Sequence, residues 1–202
     1  MIWLYYGILA ATFFATFAMM VQLGLWSNTI TTLNIVLSGL IAFGSYQALA
    51  KTLVDKIDSA GQYTYILDFI CLWLIYIVAF IILQRLLTSN LSRTRMRFKH
   101  PIDVVGGPAM GLVAALLTTG LVGAALQTAP FEADVFDGVF TDKNRTTIAT
   151  NPDLTWLQLM EMGLDPNRLG TSNPPFRTVD FRLENNKMRQ GLEAEESLRV
   201  RR

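Results

Sequence analysis

Residues 1–50 read MIWLYYGILAATFFATFAMMVQLGLWSNTITTLNIVLSGLIAFGSYQALA, and they contain no Lys, Arg, Asp or Glu. A soluble domain spaces charges a few residues apart, because each surface element must face water. A charge-free run of this length calls for lipid as the solvent. A second such run, VVGGPAMGLVAALLTTGLVGAAL, covers 104–126. The mean hydropathy of +0.35 averages these runs with two charged stretches, 51–103 and 127–202.

Working outward from the first run, 2–25 is long enough to cross the hydrocarbon core, which takes about 20 residues. A signal peptide would need a basic leader and a shorter apolar stretch. Trp3, Tyr5, Tyr6 and Trp26 sit where an aromatic belt is expected. Ser27, Asn28 and Thr29 read as a polar break with capping residues, followed by a second span over 30–50 that stops at Lys51. So short a connection predicts an antiparallel hairpin. A polar loop leads to a third span over 63–84, a basic loop covers 85–103, and the fourth span is 104–126. The expectation is an all-α membrane protein: four transmembrane helices in an antiparallel bundle over 1–129, then an extramembrane tail over 130–202.

The tail differs in kind. It is densely charged and holds Pro130, Pro152, Pro166, Pro174 and Pro175. Asn151-Pro152-Asp153, an apolar face over Leu154–Met162 and then Gly163 predict a short helix. Residues 179–202 alternate charges and read as a second, solvated helix or as disorder. The tail is thus expected to be mostly irregular and polar, with too few apolar residues for a core of its own.

The most specific pattern lies in span four, where Gly107, Gly111, Ala115, Thr119 and Gly123 recur every four residues, widened by Gly120 and Ala124. Such a stripe lets helix backbones approach closely in lipid. Its partner is either another helix of this chain or a second protein. Gly7, Ala11 and Ala15 form a weaker version in span one, and Ser38, Ala42 and Ser45 in span two. Asp68 is the one acidic residue that falls within a span; with Asn34 it marks a possible intramembrane polar site, although Asp68 lies close enough to the start of span three to reach water. Arg93, Arg95, Arg97 and Lys99 suit anionic lipid head groups better than nucleic acid beside a membrane. Basic residues concentrated in 85–103 place that loop in the cytoplasm and both termini outside. Cys71 excludes an internal disulfide, His100 stands alone, and no phosphate loop, dinucleotide fingerprint, serine elbow or zinc-protease motif occurs. Neither a metal nor a cofactor is expected, and the chain does not read as an enzyme.

The run from Asp68 to Leu87, the basic loop, and then His100-Pro101-Ile102-Asp103-Val104-Val105-Gly106-Gly107-Pro108-Ala109-Met110-Gly111-Leu112 resembles the colicin V production protein (CvpA) family. Asp103, Gly107 and Gly111 match that family's Asp and four-spaced glycines, and Gly24 resembles its glycine after span one. The likeness covers about residues 1–130. It departs at Tyr5 and Tyr6, where the family often has an acidic residue, and at Gln22, Leu23 and Trp26, where basic residues are usual. The resemblance implies a bacterial inner-membrane protein with four spans, linked to export of a peptide toxin and to envelope maintenance, with no catalytic site. Together the residues and the resemblance point to a scaffold or accessory subunit contacting the lipid bilayer and a membrane-protein partner or a second copy. The alternative is a small channel or transporter built from several copies, with Asp68 and the polar residues of span two along its path.

Overall fold

The computed structural model describes residues 2–56, 64–91, 102–131, 136, 139–140, 151–170 and 175–194. These form six helices: α1 Ile2–Met20, α2 Leu25–Lys56, α3 Thr64–Leu91, α4 Ile102–Thr128, α5 Pro152–Gly163 and α6 Thr178–Ala194. No strand occurs among the described residues. Four of the helices, α1 to α4, are long and apolar enough to cross a membrane. The cluster Arg93, Arg95, Arg97 and Lys99, with His100, lies outside the described residues.

The helices differ in extent from the sequence reading: α2 covers 25–56 against an expected 30–50, α3 ends at Leu91 against an expected 84, and the first break is displaced for a tertiary reason. The break is at residues 21–24, not at Ser27-Asn28-Thr29, which belong to the first turns of α2. A helix start leaves its first N–H groups without internal partners. Here the Leu25 N–H donates to Asp103 Oδ1 at 2.8 Å, from a residue 78 positions away. Gly24 makes room for that carboxylate: a Cβ there would lie 3.0 Å from Asp103 Oδ1. Asn28 is not a local cap either. Its Nδ2 donates to Met20 O at 2.9 Å, Leu23 O at 3.3 Å and Gly107 O at 2.7 Å. The first two close the end of α1, and the third ties that end to α4. Local capping residues therefore mark the wrong place, because the real cap comes from another helix.

The same joint sets the packing order. Gly107 lies against the backbone of Leu23, where an added Cβ would meet the carbonyl oxygen at 2.8 Å, and Gly111 lies against Met20. Farther along, Gly123 faces Tyr5 and Leu9. So α1 packs along α4 in the opposite direction. The short connection does not produce a packed α1–α2 hairpin, since α4 takes the place beside α1 and packs on α2 with its other face. α3 packs mainly on α2, where Asn34 Nδ2 donates to Gln84 Oε1 at 2.6 Å, and also touches α4. The outer helices bury little: 11% of the apolar window of α1 and 17% of that of α3, against 50% for α4. Their remaining faces carry large apolar side chains outward, among them Trp3, Phe14, Met19, Leu74 and Ile81. In water that surface would be an aggregation liability; in lipid it is the solvent-facing side.

The tail does not stand apart. Trp156, Leu157, Met160, Leu164 and Phe181 belong to the same buried cluster as Ile35, Phe43, Tyr46, Leu72, Leu121 and Ala124. This agrees with the scarcity of apolar residues in the tail, which has to borrow the core of the spans.

The Gly107→Ala variant should lose about 1–3 kcal/mol from overpacking against the Leu23 carbonyl. Gly7→Ala, whose Cβ would meet nothing within 4 Å, should change stability by a few tenths of a kcal/mol or raise it slightly. Equilibrium unfolding of both variants in one detergent checks the difference.

Candidate functional site

The seat of α5 on α2 and α4 is the most elaborated feature of the molecule. Pro152 at the helix start suits an unpaired first-turn N–H. Asp153, Leu154, Trp156, Leu157 and Met160 then fall at three- and four-residue spacing on one buried face. Thr155, Gln158 and Met162 point away. The indole of Trp156 lies on Gly39 of α2 so closely that any Cβ there would collide with its ring. On α4, a Cβ at Gly120 would meet the Pro152 carbonyl at 2.5 Å and Trp156 Cβ at 3.0 Å. Trp156 is thus wedged over a cleft between α2 and α4 that exists only because both helices carry glycine at that level. Phe43 covers its edge, with ring centroids 6.3 Å apart.

Polar contacts fix the rim. Gln127, at the end of α4, donates through Nε2 to the buried Asp153 Oδ2 at 2.6 Å. Its backbone carbonyl accepts from Arg189 Nη2, also at 2.6 Å. One residue therefore holds α5 by its side chain and α6 by its main chain. Arg189 is buried, with its guanidinium 4.5 Å from the centre of the Phe140 ring and Nη1 donating to Asn186 Oδ1 at 3.1 Å. Burial pushes its pKa down to about 10, so it stays charged at neutral pH. A cation against the last carbonyls of α4 meets the negative end of that helix. The Thr178 N–H, at the start of α6, donates to Glu161 Oε2 at 3.1 Å, which joins the two tail helices. Gln47 Nε2 donates to Glu184 Oε2 at 2.8 Å and joins α6 to α2.

The sequence-marked residues are divided among these places. Gly107 and Gly111 serve the α1–α2 turn, Gly123 faces α1 and Asp153, and Ala115 is wholly buried. Thr119 is buried too and turns its hydroxyl back to the Ala115 carbonyl at 2.7 Å. The stripe of α4 is thus occupied within the chain, by α1 and its turn at one end and by α5 at the other. Asp103, Gly107, Gly111 and Gly24, which carry the CvpA resemblance, meet in one joint. Asp68 and Asn34 do not meet. Asn34 pairs with Gln84, sixteen positions from Asp68 on α3 and so about 24 Å along the helix. Asp68 instead lies within electrostatic reach of Glu184 and Lys51. The stripe of α1 is the contrast: Gly7, Ala11 and Ala15 are all exposed.

Asn34 Oδ1, Ser38 Oγ and Trp156 Nε1 are buried without a hydrogen-bond partner among the described residues. No group of three or more His, Cys, Asp or Glu that could hold a metal ion occurs among the described residues. Gln127 and Arg189 were not legible in advance. Neither belongs to a motif, and their roles depend on where α6 crosses the end of α4.

No family model matches the chain, and neither a curated protein nor a solved structure does.

Truncating Trp156 to Ala should destabilise the docked state by about 3–5 kcal/mol, the usual cost of emptying a large core site. Gly39→Ala should lift the indole off α2. In both variants limited proteolysis should cut between 151 and 170 much faster than in the parent, while the helix content measured by circular dichroism falls only slightly.

Proposed function

We propose that the chain is a multi-pass membrane protein that crosses the bilayer four times in alternating directions and acts as a scaffold or accessory subunit without enzyme chemistry. The reading rests on one observation above all. The small-residue stripe of α4 is filled by the chain's own elements, whereas the shorter stripe of Gly7, Ala11 and Ala15 on α1 is exposed among the described residues. Small residues at four-residue spacing are what a second helix in lipid packs against. The docked helices α5 and α6 add a further surface to the assembly beside α2 and α4.

The CvpA resemblance gives this scaffold a setting in the bacterial inner membrane, in support of peptide-toxin export or envelope processes. The basic loop 85–103 then faces the cytoplasm, where Arg93, Arg95, Arg97 and Lys99 meet anionic head groups, and the termini lie outside. A partner membrane protein or a second copy is the binding species.

A channel or transporter formed by several copies is favoured by the polar groups buried along α2, in particular Asn34 and Ser38 with their unpartnered oxygens. Proteoliposome flux that survives unchanged in Asp68→Asn would remove Asp68 from such a path.

Gly7→Leu and Ala11→Leu should abolish recovery of a partner helix or a second copy from native membranes while leaving the monomer folded, because a Cβ at Gly7 would meet nothing within 4 Å among the described residues. Gly111→Leu, by contrast, should unfold the α1–α2 joint. Unchanged assembly in both α1 variants, by crosslinking and affinity purification, would sink the scaffold reading.

A further inference from the structure

Two contacts along α2 fix the level at which α6 crosses the bundle. Asn34 bonds to Gln84 of α3. Thirteen residues farther on, Gln47 bonds to Glu184 of α6. α2 and α3 run in opposite directions, so the same distance on α3 leads from Gln84 back to Cys71. Asp68, within one turn of Cys71, lies within electrostatic reach of both Glu184 and Lys51, which gives the same register. α6 is therefore level with Cys71.

The apolar face of α3 continues past that level, since Ile70 and Ile66 are both exposed. The stretch Ile66–Leu87 is the most apolar of the four candidate spans and has 22 residues. Its length is about 33 Å, close to the thickness of one hydrocarbon core. Hydrocarbon that covers it to Ile66 reaches about 7 Å beyond Cys71. So α6 lies inside that boundary. Its other end gives a matching sign. Arg189 bonds to the Gln127 carbonyl at the end of α4. One turn earlier, Gly123 faces Tyr5, and the neighbouring Trp3 and Tyr6 of α1 are exposed. Exposed aromatic rings of this kind settle at the head-group level.

The surface of α6 suits such a place. Phe181, Asn185 and Arg189 are buried against the bundle. Val179 and Leu183, one turn apart, are 66% and 53% exposed and form an outward apolar stripe. Asp180, Glu184 and Lys187, also exposed, occupy the flank about a quarter-turn away. With Arg177 just before the helix, these exposed charges balance. Apolar burial, rather than attraction to acidic head groups, is what remains to hold the helix in place.

We propose that α6 is a membrane-interface helix whose partner is the lipid surface: Val179 and Leu183 enter the acyl boundary beside the bundle, and Asp180, Glu184 and Lys187 stay among the head groups. A depth of about 7 Å falls within the range at which amphipathic helices lie in a bilayer. The inference rests on the membrane reading given above, and it moves part of the tail from outside the membrane into its surface.

The test uses the full chain in phospholipid vesicles, with Cys71→Ala as background and one fluorophore-labelled cysteine at a time. Val179→Cys, Leu183→Cys, Lys187→Cys and Ile77→Cys all replace exposed side chains. Labels at 179 and 183 should be quenched several-fold more by phospholipid brominated on its acyl chains than by aqueous iodide, like the label at 77. The label at 187 should show the reverse. The pattern should be the same in zwitterionic vesicles and in vesicles containing acidic phospholipid. Iodide quenching at 179 and 183 equal to that at 187, with 77 still quenched by lipid, overturns the interface helix and leaves the membrane reading in place. So does lipid quenching at 183 that requires acidic phospholipid. Iodide quenching at 77 overturns both.

Discussion

The amide of Asn28 ties together three parts of the chain: the end of α1, the turn that follows it, and the first turns of α4. Each accepting carbonyl is one that a helix terminus, or a close helix crossing, would otherwise leave facing an apolar surrounding. Where water is absent, backbone groups must be satisfied inside the protein. Asn28 and Asp103 do so with side chains, which obliges α1, α2 and α4 to converge at one point. Gly24 and Gly107 are required there for the same reason, because the backbones approach too closely to admit a Cβ. From this joint α4 is committed to the space between α1 and α2, and the rest of the packing follows.

A second consequence is that α4 serves several neighbours along its length. At its start it holds the turn, in its middle it lies on α2, and near its end it receives α5. Lipid supplies little hydrophobic drive between helices, so affinity comes from the number of atoms in close contact. Replacing side chains by hydrogen at Gly111, Gly120 and Gly123 raises that number. Trp156 exploits this most fully: a large flat ring lies on bare backbone at Gly39, whereas an ordinary side-chain pair would hold the two helices farther apart.

Much of the architecture was legible in composition alone. The two charge-free runs and the aliphatic segment between them place four long helices, with ends up to seven residues from where they lie. Their neighbours were not legible. Ser27, Asn28 and Thr29 have the chemistry of a local cap, but the carboxylate that performs the capping is Asp103, which no window of nearby sequence contains. The α4 stripe was readable as a packing surface, but its division between the α1–α2 turn and α5 depends on tertiary approach. The short helix predicted after Asn151 exists as α5. What its pattern could not reveal is that the apolar face docks on Gly39 and Gly120, because the helix itself is too short to specify a partner. Asp68 and Asn34 looked like one site because both are polar within apolar helices; their separation follows from the opposite directions of α2 and α3.

The dependence of the α2 start on Asp103 also has a bearing on biogenesis. During synthesis, α1 and α2 emerge long before the residue that caps α2, with 78 positions between Leu25 and its partner carboxylate. At about 5–20 residues per second that interval is roughly 4–16 s. Throughout it, the face of α1 that will meet α4 has no mate, and the turn at 21–24 has its local bonds but not those to Asp103 and Gly107. The nascent chain must therefore be sheltered, by the insertion machinery or by its own membrane neighbours, until the fourth hydrophobic segment arrives to complete the joint.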